Sequence, residues 1–98
     1  MFVRIVKMSF DSTKIKHFKS VFDTHKIAIR NFPGCQFLEL YQDKNKPNIF
    51  FTYSYWNNET DLENYRTSEL FKNVWSKTKV LFNDKPQAWS VDKIVSLP

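Results

Sequence analysis

The chain has 98 residues with a single cysteine, a single glycine, 42% hydrophobic residues and a formal net charge of +5. That length allows one domain with a modest core, the composition excludes a disordered or low-complexity tract, and one thiol excludes an internal disulfide. The positive charge comes mostly from lysines interspersed with acidic residues, with arginine only at Arg4, Arg30 and Arg66, a pattern that fits a solvated face and excludes nucleic acid as the expected partner.

Residues Phe2 to Phe10 are rich in β formers and alternate loosely, which predicts a first strand. The opening segment is too short and too interrupted by charge for a secretory signal. No apolar run approaches the roughly 20 residues of a membrane helix, so the expectation is a cytoplasmic protein without a membrane partner. Asp11 or Ser12 offers an N-cap. Ile15, Phe18, Phe22, His25 and Ile29 then recur at helical spacing, and the helix stops before Phe32-Pro33-Gly34. Cys35 to Gln42 reads as a second strand, Asp43 to Asn48 as a polar connection, and Ile49 to Trp56 as a third strand.

The third strand is apolar or aromatic on both faces, with Ile49, Phe51, Tyr53 and Tyr55 on one and Phe50 and Trp56 on the other. Such a strand is covered on both sides. Two helices cover only one face of a small sheet, so the other face calls for a second copy of the chain. An aromatic content of 17% points the same way, to a pocket, a subunit interface or both. Thr60-Asp61-Leu62-Glu63 reads as a capping box opening a short helix. Thr67 or Ser68 reads as a second cap, followed by a helix with Leu70, Phe71, Val74, Trp75, Thr78, Leu81 and Phe82 on its inner side. Asn83 to Pro86 stops it, and Gln87 to Val95 reads as the last strand. The order predicts an α+β domain of split βαβ type: a ferredoxin-like βαββαβ arrangement over residues 1–98, with a four-stranded antiparallel sheet.

Phe32-Pro33-Gly34-Cys35 at a helix-to-strand joint, the aromatic strand ending in Tyr55-Trp56, Tyr65 on the short helix and Ser68-Glu69-Leu70-Phe71 opening the long one together resemble the antibiotic biosynthesis monooxygenase family of the dimeric α+β barrel superfamily. The resemblance implies a homodimer with sheets packed face to face and a pocket between sheet and helices in each subunit. Some members oxidise aromatic polyketides there with molecular oxygen and no metal or flavin; others degrade haem. This chain departs from the haem-degrading branch. Trp75 stands where those proteins place an iron-ligating histidine, Tyr65 where they carry a tryptophan, and Val6 where they carry an asparagine.

Oxygenation without a cofactor needs a substrate anion, a group that forms or stabilises it, and a dry cavity for a flat ring. His25, on the apolar side of the first helix, is the candidate base, or else a histidine satisfied within the core or at its rim. The resemblance matches Trp56 and Tyr65 to the aromatic pair in the pocket of oxygenase members; their N–H and O–H suit a quinone-like oxygen, and plain core packing is the alternative. Phe71 and Trp75 face the same space as ligand-binding walls or as core, and Trp75 is large enough to fill it. No spacing suits a metal site or a phosphate loop. The expected function is a small oxygenase needing no cofactor that acts on an aromatic or quinone-like molecule. The alternative is a non-catalytic homodimer that binds a small hydrophobic ligand.

Overall fold

In the computed structural model, which describes residues 1–98, the chain runs β1 (Phe2–Ser9), a 3₁₀ turn (Ser12–Lys14), α1 (Ile15–Arg30), β2 (Cys35–Gln42), β3 (Ile49–Trp56), α2 (Glu59–Arg66), α3 (Glu69–Lys79) and β4 (Gln87–Val91). The four strands form one sheet in the order β2-β3-β1-β4, and every pairing is antiparallel. This is the ferredoxin-like α+β fold expected from the order of elements. No helix is long and apolar enough to cross a membrane.

Alternation along each strand divides the sheet into two faces. Phe2, Met8, Phe50 and Trp56 join the buried core on the helix side. Val3, Ile5, Phe51, Tyr53 and Tyr55 point the other way by the same period. On the helix side the core has two centres. Phe10, Phe18 and Phe50 pack with Met8 and Leu81 at one end, with Phe10 stacked on Phe18 at a centroid distance of 4.1 Å. Phe2, Cys35, Trp56 and Leu62 pack at the other.

The joints follow from local chemistry. The Asp11 carboxylate accepts from the Thr13 N–H at 2.9 Å and turns the chain into α1. Gly34, at a φ of +91°, makes the turn into β2, and a Cβ there would overlap the Asp61 side chain. Arg30 donates to the Cys35 carbonyl at 2.9 Å and ties the helix end to the strand start. Ser68 caps α3 by accepting from the Phe71 N–H at 3.1 Å.

Three boundaries differ from the sequence expectation. Asn58, not Thr60, caps α2, its side-chain oxygen accepting from the Asp61 N–H at 2.8 Å. Helix α3 ends at Lys79, so Leu81 and Phe82 lie beyond it; Phe82 instead bridges to Phe10, and Leu81 accepts the Asp11 N–H. Strand β4 ends at Val91, where its pairing with β1 runs out at Val3, and Ile94 and Val95 are left exposed.

Candidate functional site

Between the helix side of the sheet and the three helices lies a cavity of about 340 Å³, at the small end of the range for ligand pockets. The sheet supplies Arg4, Val6 and Met8 from β1 and Thr52, Ser54 and Trp56 from β3. Helix α1 supplies Phe18, Phe22 and Ile29; α2 supplies Leu62, Tyr65 and Arg66; α3 supplies Phe71, Val74, Trp75 and Thr78. The buried members of this wall form its floor, and the exposed Arg66, Pro86, Gln87 and Ala88 mark where it reaches the surface.

Four of the five residues singled out from the sequence meet on this wall: Trp56, Tyr65, Phe71 and Trp75. They form a continuous aromatic run. Trp56 stacks on Tyr65 at 5.2 Å, Tyr65 meets Phe71 edge to face at 5.2 Å, and Phe71 lies nearly parallel to Trp75 at 5.6 Å and 13°. Trp75 also packs against Phe82 at 5.5 Å. It is therefore drawn into the wall and leaves the cavity open. His25 is half-buried on α1 and is not among the lining residues; His17 is exposed.

The polar groups of the pair differ. Trp56 is 1% exposed, and its indole N–H already donates to Ser54 Oγ at 3.0 Å, so the ring, and not the N–H, is what it offers a ligand. The Tyr65 hydroxyl pKa is raised, first by burial and second by the neighbouring Cys35. The phenol stays protonated near neutral pH and acts as a donor. Cys35 is itself buried, and burial raises its pKa as well, which makes it an inert core thiol.

Sequence reasoning did not single out Arg4 and Arg66. They are the only charged residues on the wall. Burial lowers the Arg4 pKa, and the like charge of Arg66 lowers it further. Strand register carried the clue, since Arg4 shares its face of β1 with Phe2, Val6 and Met8. The wall holds no Asp, Glu, His, Lys or Cys, and no three such metal-ligating side chains gather anywhere in the fold. It thus offers no carboxylate, imidazole or amine as a side-chain base.

The opposite face of the sheet is also aromatic. Phe37 stacks on Tyr55 at 4.6 Å, and Tyr53 meets Phe37, Tyr41 and Tyr55 within 6.3 Å. Tyr41, Trp89 and Val91 are 41–48% exposed. No helix covers this face. Lys93 reaches over the Tyr55 ring and donates to its hydroxyl at 3.0 Å.

A family model described as antibiotic biosynthesis monooxygenase matches residues 1–75. No curated protein matches the sequence. Among solved structures, one described as an antibiotic biosynthesis monooxygenase superposes with a TM-score of 0.91 at 16% identity, covering 97% of this chain and 100% of the other. A conserved protein from Methanosarcina mazei Go1 gives 0.88 at 19% identity, covering 95% and 93%. The protein Rv0793 from Mycobacterium tuberculosis gives 0.88 at 12% identity, covering 99% and 98%. At these identities the likeness is one of fold.

Proposed function

The chain belongs to the antibiotic biosynthesis monooxygenase family, and from that premise we propose that it is a small homodimeric oxygenase acting on a flat aromatic or quinone-like molecule, with dioxygen as oxidant and no cofactor. The observation that carries this reading is the cavity bounded by Trp56, Tyr65, Phe71 and Trp75. Its parallel and edge-on rings suit a flat ligand, and its mostly apolar wall suits chemistry that water would quench. Tyr65 acts as the hydrogen-bond donor to a ligand oxygen, with Trp56 as the ring beneath it.

The reaction takes an electron-rich ring with an oxidisable methylene. The ring anion gives an electron to dioxygen, the two radicals combine at carbon, and the resulting peroxide collapses to a carbonyl. One oxygen atom stays in the product and the other leaves as water. The dimer forms through the aromatic outer face of the sheet, where Phe37, Tyr53 and Tyr55 make a patch that no helix of the same chain covers.

A second reading, a dimer that binds such a ligand without converting it, is favoured by the lack of any ordinary base on the wall. Oxygen uptake with a panel of hydroquinones and anthrones separates the two. Wild-type protein is expected to consume oxygen with at least one of them, and Trp56→Phe and Tyr65→Phe to slow it. His25→Ala asks whether a histidine off the wall takes part. Binding of the panel with no uptake by the wild type selects the second reading.

A further inference from the structure

We propose that the cavity selects aromatic ligands carrying a negative charge on oxygen, and that Arg4 and Arg66 together receive that charge. The inference rests on the cavity being the ligand site and names the class of ligand it takes.

The first support is the charge census of the wall. Two arginines line it, from different elements, and no Asp or Glu does. The fold contains ion pairs between Lys26 and Asp23, Arg66 and Glu63, and Lys72 and Glu69. Arg4 belongs to none of them. Its Nη1 donates to Ser90 Oγ at 3.0 Å, which uses one of five donors. Arg66 has only a loose contact with Glu63 at 3.6 Å between exposed side chains, a geometry that contributes little. Glu63 does not line the cavity.

The second support is the position of Arg4. The register of β1 sets it on the helix side between Phe2 and Val6, beside Ser54 of β3 and Ser90 of β4. A half-buried cation on an apolar wall, with a second cation lining the same space, lacks one negative charge. A ligand anion supplies it. Guanidinium groups match the paired oxygens of a carboxylate and equally hold a single phenolate or enolate oxygen. The protonated Tyr65 adds a neutral donor on the same wall.

This arrangement gives a physical route to the substrate anion without a base on the wall. A nearby positive charge favours the ionised form of a bound phenol or enol. The proton leaves to water at the cavity mouth, and the anion that remains is the electron donor that dioxygen requires. The substrate class is therefore an acidic aromatic, already ionised or readily ionised near neutral pH.

The test compares 2-naphthoate with 2-naphthamide, the same ring with and without charge, by isothermal titration at low salt. Wild-type protein is expected to bind the carboxylate at least about tenfold more tightly, with the preference shrinking as salt rises. Arg66→Gln, at an exposed helix end, and Arg4→Gln are each expected to reduce that preference while leaving amide binding within about twofold of wild type. Amide binding doubles as the check that each variant is folded. Equal binding of both probes by the wild type, or a preference that survives in the double variant, overturns the anion site and leaves the aromatic cavity standing. Failure of the wild type to bind either probe overturns both.

Discussion

One strand carries two kinds of aromatic surface. On the helix side of β3, Phe50 and Trp56 are each 1% exposed. On the outer side, Phe51, Tyr53 and Tyr55 alternate with them and remain half-exposed. The helix side closes its first core on phenylalanine, with Phe10, Phe18 and Phe50 packed ring on ring. The outer side is built largely on tyrosine, whose hydroxyls reach Lys93 or Glu39 at the rim of the rings. A ring with a polar tip tolerates water and still offers a large apolar area. Aromatic content alone thus does not mark a core. The polar tips of Tyr41 and Tyr55 set the outer face apart from the sealed one, although Phe37 and Phe51 share it.

The contrast predicts unequal costs for truncating neighbouring rings. Phe50→Ala is expected to destabilise the fold by about 3–5 kcal/mol, a large part of the margin of a domain this small. Urea denaturation reads it directly. Tyr53→Glu, three residues along and on the other face, is expected to leave the monomer folded and to weaken the proposed dimer by at least about 2 kcal/mol, roughly thirtyfold in dissociation constant. Light scattering across a dilution series measures this. If Tyr53→Glu unfolds the chain as Phe50→Ala does, the outer face belongs to the monomer core and the distinction fails.

The two faces also differ in how their tyrosines titrate. Burial raises the pKa of Tyr65 above the ordinary tyrosine value of about 10. A hydrogen bond from Lys93 lowers that of Tyr55. In an alkaline titration followed by phenolate absorbance, Tyr55→Phe is expected to remove the earliest phase and Tyr65→Phe the latest. Stability follows for the buried group. Its folded pKa lies above its unfolded one, so the folded state holds the proton longer. The contribution is fully present below about pH 10 and is lost as pH rises further, with a slope of up to about 1.4 kcal/mol per pH unit. Tyr65→Phe is expected to flatten the alkaline fall in stability by that amount, and an unchanged slope would mean that the hydroxyl is not buried.

How much of this was legible in the sequence depends on which force fixed each feature. Strands β2 and β3 lie where alternation and the bounding Pro33-Gly34 and Pro47-Asn48 place them, because pleat period and turn chemistry are local. The apolar pattern overextends β4 because Ile94 and Val95 continue it, whereas the pairing with β1 ends at Val3 and Val91, before either residue is reached. The end of α3 was overextended for a related reason. Leu81 and Phe82 keep helical spacing, but their partners Asp11 and Phe10 are reached only after the helix has ended. Of the aromatic wall, Trp56 and Tyr65 were legible through the resemblance to the family's pocket pair, and Phe71 and Trp75 through their inward positions on α3. Arg4 and Arg66 were not, since a charged residue reads as solvent-facing until tertiary packing puts it beside an apolar cavity. His25 shares the helical spacing of Phe18, Phe22 and Ile29, yet those three line the cavity and it does not; spacing gives the face of a helix, not the reach of a side chain.

The smallest effects lie at the helix starts, where local pattern and tertiary structure disagree over one cap. Thr60 and Glu63 have the spacing of a capping box. In the fold both are helical, and Asn58 carries the extended backbone and accepts the Asp61 N–H at 2.8 Å. The reason is distance along the chain: β3 ends at Trp56, and starting α2 two residues earlier lets Leu62 reach the core cluster around Trp56. Asn58→Ala is therefore expected to cost about 1 kcal/mol, as is Ser68→Ala at the start of α3. Thr60→Ala should stay within about 0.5 kcal/mol of wild type, like other exposed substitutions. Thermal melts of the three variants rank them. A Thr60→Ala loss equal to that of Asn58→Ala would return the cap to Thr60, shift the start of α2, and change where Tyr65 and Arg66 stand on the cavity wall.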